Sequence, residues 1–311
     1  MLAKRYKDML SEESVIRKMF YFSTARAKEI GAENMFDYSL GNPSVPVPEK
    51  FAQVITDLLE KEDPIALHGY SPGPGIYSVR EKVANSLKER FGVEYKAEHI
   101  FMTTGAAGAL AHAVRCVTEP GDEVITFAPY FPEYFPYVNM TGATLKAVPA
   151  NVEDFQINFD LMEEMMSEKV AAVLINTPNN PSGIVYSEAT IQKLADILTR
   201  KSEEYGHDIY IISDEPYREI SFDGVEVPYV SKYYANTLSC YSFSKSLSLP
   251  GERIGYVAAN PACKDAETII NMCIQVSRTT GHNCPSSLMQ LAVAEVLDMT
   301  SDLSVYETNM K

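Results

Sequence analysis

The sequence predicts an α/β fold with a largely parallel sheet, on two observations. From Ile100 onward, short β-branched runs alternate with segments of helical pattern. Several of these runs are continuously apolar, as expected of strands covered on both faces, which gives an α/β/α layering.

Composition narrows the partners. The 311 residues suffice for a large core and suggest about two domains. With 46% hydrophobic and 22% charged residues, the chain reads as globular. The net charge is −15 and no Lys/Arg cluster is visible, so nucleic acid is not an expected partner. A local basic pocket for one small phosphate remains compatible. The start, Met-Leu-Ala-Lys-Arg-Tyr-Lys-Asp, has no apolar core of a secretory signal, and no run approaches the ~18 apolar residues of a membrane span. Five cysteines without a Cys-x-x-Cys pair suit free thiols in a reducing cytoplasm. The five histidines lack the helical two-His spacing of a zinc site, so no metal is expected.

Taken in order, a helical lead of mixed polarity is expected over 14–31, then an extended piece ending in Leu40-Gly41-Asn42-Pro43. Val45-Pro46-Val47-Pro48 is a stiff, non-helical connector. A helix follows over 49–61, and then the turn-rich loop His68-Gly69-Tyr70-Ser71-Pro72-Gly73-Pro74-Gly75. Its last Pro-Gly opens a helix with Val79, Val83 and Leu87 on one buried face. Strands are expected over 100–104, 123–127, 144–148, 170–175, 209–213, 238–243 and 253–258, and a helical stretch over 286–299.

Ligands of such sheets sit beyond the carboxyl ends of the strands, so the residues after each strand carry the functional reading. After the first comes Thr103-Thr104-Gly105-Ala106-Ala107-Gly108, whose small residues expose the N–H groups of a first helical turn to a phosphate, or simply let the helix pack closely. After the second, Ala128-Pro129-Tyr130-Phe131-Pro132-Glu133-Tyr134 puts aromatics where one could stack on a flat ring, core packing being the plainer role of any single one. Asn176-Thr177-Pro178-Asn179-Asn180-Pro181-Ser182-Gly183 is a turn that can aim an amide into a cleft. Asp214-Glu215-Pro216-Tyr217 follows an apolar strand, where a carboxylate needs a cationic or N–H partner, or serves as the N-cap of a turn.

The densest stretch is Tyr241-Ser-Phe-Ser-Lys-Ser-Leu-Ser-Leu-Pro-Gly-Glu-Arg-Ile-Gly-Tyr-Val257. Hydroxyls surround Lys245, and Arg253 follows eight residues later. A desolvated or cation-flanked amine loses its proton more easily and can act as a nucleophile, whereas a solvated Ser-rich loop is the bland alternative. Together the strand ends describe a phosphate seat, an aromatic face, an amide, an acid with a tyrosine, and a lysine able to form an imine. Pyridoxal 5'-phosphate fits that inventory.

On these motifs the chain resembles the fold-type I pyridoxal-phosphate enzymes, specifically the class I/II aminotransferases typified by aspartate aminotransferase. The landmarks run from Gly41 to Tyr256, and Ser-x-Ser-Lys…Pro-Gly-x-Arg-x-Gly-Tyr is the most specific of them. The resemblance implies that Lys245 holds the cofactor as a Schiff base and then moves the α-proton, and that Asp214 keeps the pyridine nitrogen protonated. It implies that Asn180 and Tyr217 bond the ring's phenolate oxygen. The phosphate would take the loop of Gly105, Ala106 and Ala107, the hydroxyls of Ser242 and Ser244, and the Arg253 guanidinium. Phe131, with Tyr130 beside it, matches the residue stacked on the ring, and Gly41, with Asn180, would meet the substrate. Tyr70 matches a tyrosine that reaches the neighbouring subunit's phosphate, which implies a homodimer.

The resemblance also divides the chain into an N-terminal arm and part of a small domain (1–45), a large cofactor-binding domain (46–285), and the start of a connection to a C-terminal small domain (286–311). The family's C-terminal segment carries the arginine that clamps the substrate α-carboxylate. Nothing between Arg278 and Lys311 matches it, so an incomplete small domain is expected. The implied function is ping-pong transfer of an amino group between an L-amino acid and a 2-oxo acid. A carbon–sulfur β-lyase on the same scaffold, or a cofactor-binding protein with little activity, are the rival readings.

Overall fold

The computed structural model describes residues 2–10, 15–37, 41–304 and 308. The chain divides into two compact units, Met1–Ser44 and Val45–Lys311. In the first, α1 (Lys4–Met9) and α2 (Val15–Ile30) are the helices, and the Asn34 side-chain amide donates to the Ile30 carbonyl at 2.8 Å, satisfying an end of α2. Helix α2 answers the expected helical lead. Ser14, at the start of that expectation, and Leu40, in the extended piece, lie outside the described residues.

The second unit opens with α3 (Glu49–Lys61), α4 (Pro64–His68) and α5 (Tyr77–Phe91). Helix α4 lies between the helix expected over 49–61 and the turn-rich loop that begins at His68, where no element was expected. Asp63 makes it, accepting from the N–H groups of Ile65 and Ala66, with Pro64 in the first position where its missing N–H is harmless. Then β1 (Ile100–Thr103), α6 (Gly105–Val117), β2 (Glu123–Phe127), α7 (Tyr134–Asn139), β3 (Thr144–Val148), α8 (Phe159–Met165) and β4 (Val170–Asn176) alternate. The rest is α9 (Glu188–Tyr205), β5 (Tyr210–Asp214), β6 (Thr237–Ser242), α10 (Phe243–Ser246), β7 (Gly255–Ala259), α11 (Ala266–Thr280) and α12 (Ser287–Ala294).

The seven strands form one sheet in the order β1-β7-β6-β5-β4-β2-β3, parallel except for β7, which runs against both neighbours. All residues of β1, β6 and β7 are buried, as continuous apolar runs require of strands covered on both sides. Alternation splits each strand between two layers: Ala172 and Leu174 of β4 pack with Leu110 and Val114 of α6, while Val173 and Ile175 pack with Ile191 and Leu194 of α9. Val79, Val83 and Leu87 of α5 bury against Ile100 and Met102 of β1, the face their spacing predicts. Each such fully buried aliphatic side chain contributes roughly 1.5–3 kcal/mol.

Two boundaries differ from expectation in ways that matter. Asp214 is the last residue of β5, not the first after it, because its backbone still pairs with β6 in register with Cys240. Strand β6 stops at Ser242, where the side chain accepts the Ser244 N–H at 3.1 Å and turns the chain into α10. The final helix is shorter than 286–299. After Ala294 the N–H groups of Glu295, Val296 and Met299 reach back three residues, to Ala292, Val293 and Val296, so tighter turns replace the α-helix. Among the described residues, no helix is long and apolar enough to cross a membrane.

Candidate active site

The ends of β1, β5 and β6 and the start of β7 bring most of the expected residues together. At the first of these, Thr104 leads from β1 into α6, and Gly105 has φ +82°. A Cβ at Gly105 would stand 3.2 Å from Arg253 Nη2 and 3.6 Å from Ser242 Oγ. Gly255, which opens β7, pairs with Thr103 on one side and Ser242 on the other. A Cβ there would overlap the Tyr241 carbonyl oxygen and come within 3.0 Å of the Gly105 backbone. Only glycines permit this approach, and they leave a small cradle. The first N–H groups of α6, those of Ala106 and Ala107 included, have no intrahelical acceptor, and the Ser242 hydroxyl and Arg253 guanidinium face the same spot. Ser244 joins through its hydroxyl, 2.6 Å from that of Ser242. Arg253 is held by a left-handed backbone (φ +50°) and by donation from Nη1 to the Pro250 carbonyl at 2.8 Å.

Asp214 carries the second feature. Its carboxylate is buried, and Oδ2 accepts the Tyr134 hydroxyl at 2.6 Å, while the Asn176 amide holds its backbone carbonyl at 2.8 Å. Oδ1 is buried with no hydrogen-bond partner. Burial pushes the carboxyl up to about 7, against the Tyr134 hydrogen bond and with help from the charge of Glu215. An unsatisfied buried carboxylate oxygen is costly, and the cost disappears when a cationic N–H donor arrives. A protonated pyridine nitrogen is such a donor, so this acid and the phosphate cradle both fit pyridoxal phosphate.

Lys245 lies in α10, half-buried, with Nζ 5.9 Å from the centre of the Tyr217 ring. Burial lowers its proton affinity below that of an ordinary lysine. The Tyr217 hydroxyl accepts from Asn180 Nδ2 at 3.3 Å, and the Asn180 backbone N–H donates to the Asn176 side chain at 2.6 Å, which anchors the turn to the end of β4. Burial, and then Asp214, raise the Tyr217 hydroxyl above its usual range. Phe131 and Tyr130 both pack on Tyr134, the first edge-on at 5.8 Å and the second stacked at 6.2 Å.

One expected residue stands apart from this cluster. Tyr70 is fully exposed (106%) in the loop after α4. Gly41 belongs to the first compact unit, Met1–Ser44. Among the described residues, no group of three His, Cys, Asp or Glu is arranged to hold a metal ion.

Sequence reading missed two parts of the site. Tyr134 is one; it stood in the aromatic stretch without a role. The other is a buried ion network led by Arg218, which donates to Glu215 at 3.0 Å, Glu219 at 3.1 Å and the Tyr256 hydroxyl at 3.1 Å. Tyr241 donates to Glu219 at 2.9 Å and meets Ser246, next to Lys245, at 2.7 Å. The network ties the loop after β5 to the lysine helix. The three-residue spacing of Glu215 and Arg218 was the available signal.

Comparison with known proteins agrees with this chemistry. The model of the family "Aminotransferase class I and II" matches residues 33–311. The aspartate aminotransferase of Thermotoga maritima is 29% identical over 299 residues, 95% of this chain and 75% of its own. Aromatic-amino-acid aminotransferase 2 of Thermococcus litoralis is 28% identical, over 91% of this chain and 68% of its own. Among solved structures, an amino transferase from Eubacterium rectale superposes with a TM-score of 0.96 at 45% identity, covering 99% of this chain and 78% of that one. This chain therefore belongs to the class I and II aminotransferases, pyridoxal-phosphate enzymes that transfer an amino group between amino acids and 2-oxo acids.

Proposed function

We propose that this chain runs the transfer as two alternating half-reactions, with Lys245 as the group that holds the cofactor and then moves the proton. The observation that carries the reading is the buried, partnerless Oδ1 of Asp214 at the end of β5, one strand from the lysine helix. Bound pyridoxal phosphate supplies an aldehyde carbon for an amine and a ring that withdraws electrons when its nitrogen is protonated. Asp214 Oδ1 would accept that N–H and keep the proton in place. Asn180 Nδ2 and Tyr217 Oη lie 3.3 Å apart, and both would hydrogen-bond the ring's hydroxyl oxygen. Gly105, Ala106 and Ala107, the hydroxyls of Ser242 and Ser244, and Arg253 would hold the phosphate, and Phe131 would stack on the ring. Lys245 Nζ would then take the α-proton of the amino acid. Its lowered proton affinity suits it to start as the neutral base.

In the same reading, residues 46–285 are the cofactor-binding domain, 1–45 are an N-terminal arm and part of a small domain, and Gly41 and Asn180 are substrate-binding residues. Tyr70, a wholly exposed tyrosine, reaches the phosphate of a second copy, which makes the working unit a homodimer. Its setting is the cytoplasm, in keeping with five free cysteines.

The test is the visible spectrum of the cofactor-loaded protein with single L-amino acids and no oxo acid. Transfer predicts that the cofactor band decays while one equivalent of 2-oxo acid forms and the cofactor recovered by mass spectrometry carries the amino group. Pyruvate and ammonia from cysteine-type substrates, with the band returning, would assign β-elimination instead. A band that no amino acid perturbs would sink both.

A further inference from the structure

We propose that Tyr134 is a positioning residue that sets the acid and the stacking aromatic of the cofactor ring in register, through its hydroxyl on Asp214 and its ring against Phe131 and Tyr130. The inference rests on the reading of Asp214 and Phe131 given above.

Tyr134 follows β2, whereas Asp214 ends β5, and β4 lies between those strands in the sheet. Its side chain therefore crosses the end of β4, wholly buried (1% exposed), to reach Oδ2 at 2.6 Å. A carboxylate has two oxygens, and filling one with a fixed donor settles both its rotamer and which oxygen faces the cleft. The partnerless atom is indeed the other one, Oδ1. On its flank, Tyr134 lies nearly parallel to Tyr130 (11°) and nearly perpendicular to Phe131 (82°), so both candidate ring-stacking residues lean on the side chain that holds the acid.

The titratable groups facing the Asp214 carboxylate are Tyr134 and Tyr137 of α7, Glu215 and Tyr217 of its own loop, and Cys240 of β6. Among them Tyr134 alone is hydrogen-bonded to the carboxylate and favours its ionised form. Glu215 opposes ionisation.

The experiment compares full-length wild type, Tyr134→Phe, Tyr134→Leu and Asp214→Asn. In the apoprotein, a carboxyl-carbon NMR titration follows Asp214, its signal identified by its loss in Asp214→Asn. Removing the donor in Tyr134→Phe should raise the Asp214 midpoint by about one pH unit, and should weaken pyridoxal phosphate binding near neutrality about tenfold. The deficit should shrink as pH rises and Asp214 ionises again. Tyr134→Leu should also diminish the induced circular dichroism of the bound cofactor, because the aromatic brace is gone. Should the Phe variant misfold, 3-fluorotyrosine at position 134 keeps the fold and strengthens the donor, and the midpoint should then move down. An unchanged midpoint in Tyr134→Phe, or in the fluorinated protein, overturns the proposal. Asp214→Asn separates the two levels of the argument. If it binds cofactor like wild type, the assignment of Asp214 itself fails. If it binds weakly while Tyr134→Phe binds normally, only the positioning role falls.

Discussion

The amine of Lys245 sits 5.9 Å from the centre of the Tyr217 ring, although the two residues come from the ends of different strands. Asn180, from a third strand end, holds the Tyr217 hydroxyl from the other side. Three loops thus converge on one small volume, as the carboxyl ends of neighbouring parallel strands allow. A lysine there is partly withdrawn from water, and its proton affinity falls accordingly.

Lys245→Ala should therefore still fold and retain the phosphate seat, but lose half-transamination by about 10²–10⁴-fold or more, the usual worth of a positioned proton-transfer group. Single-turnover rates with cofactor-loaded protein and one amino acid measure it. In wild type, the half-reaction should already be rising with pH below the ordinary lysine range, because only the neutral amine is a base. Full activity in the alanine variant would remove Lys245 from the mechanism.

Gly105→Ala tests the cradle. The new methyl group would sit 3.2 Å from Arg253 Nη2, at a backbone φ of +82° that an L-residue adopts at a cost of roughly 1–2 kcal/mol. A modest loss of thermal stability should accompany a larger loss of cofactor affinity. The affinity loss should be much greater for pyridoxal phosphate than for pyridoxal, which has no phosphate to displace. Equal losses for both would place the phosphate elsewhere.

Asp214 gives a pH signature. Its carboxyl is raised from an ordinary 3.8 to about 7 by burial, so the folded apoprotein binds this proton more tightly than the unfolded chain. That contribution is fully present below the unfolded value and is lost as pH climbs towards the folded one, a few kcal/mol in all. Apoprotein melting temperature should fall between about pH 4 and 7, and Asp214→Asn should flatten the slope. Cofactor should flatten it too, since a protonated ring nitrogen stabilises the carboxylate. Melting curves of the two apoproteins and the loaded wild type across that range decide the point.

Much of this site was legible before any coordinates, for identifiable reasons. Continuous apolar runs placed seven strands within a residue or two, and residues at their ends had to face the cleft. Lys245, Asp214, Asn180 and Arg253 were singled out because each is a chemically distinctive side chain next to a strand end. Tyr134 was hidden because an aromatic among aromatics reads as core; its role depends on reaching past β4 to a residue eighty positions away. Arg218 was hidden because a charged residue in a loop reads as solvated. Only the layering of Phe91, Tyr229 and Tyr241 around its guanidinium, at 5.0, 5.7 and 4.2 Å, shows that it is enclosed. Local pattern reveals strand ends, whereas partners distant in sequence emerge only with packing.

Through that enclosed network Arg218 is linked to the lysine helix. Its guanidinium neutralises Glu215 and shares Glu219 with Arg90, which donates to the same carboxylate at 2.8 Å. Arg218→Ala would leave Glu215 buried without its cation, a change that typically costs about 3–5 kcal/mol. Urea denaturation of the apoprotein should show a loss of that order. Arg90→Ala should cost much less, because Arg90 is partly exposed and Arg218 remains on Glu219. The network reaches Ser246 through Glu219 and Tyr241, so Tyr241→Phe should preserve most of the stability yet loosen α10. Faster amide exchange at 243–247, with slower proton transfer by Lys245, is the expected result. Unchanged exchange in that variant would mean that the lysine helix holds its position without the network beneath it.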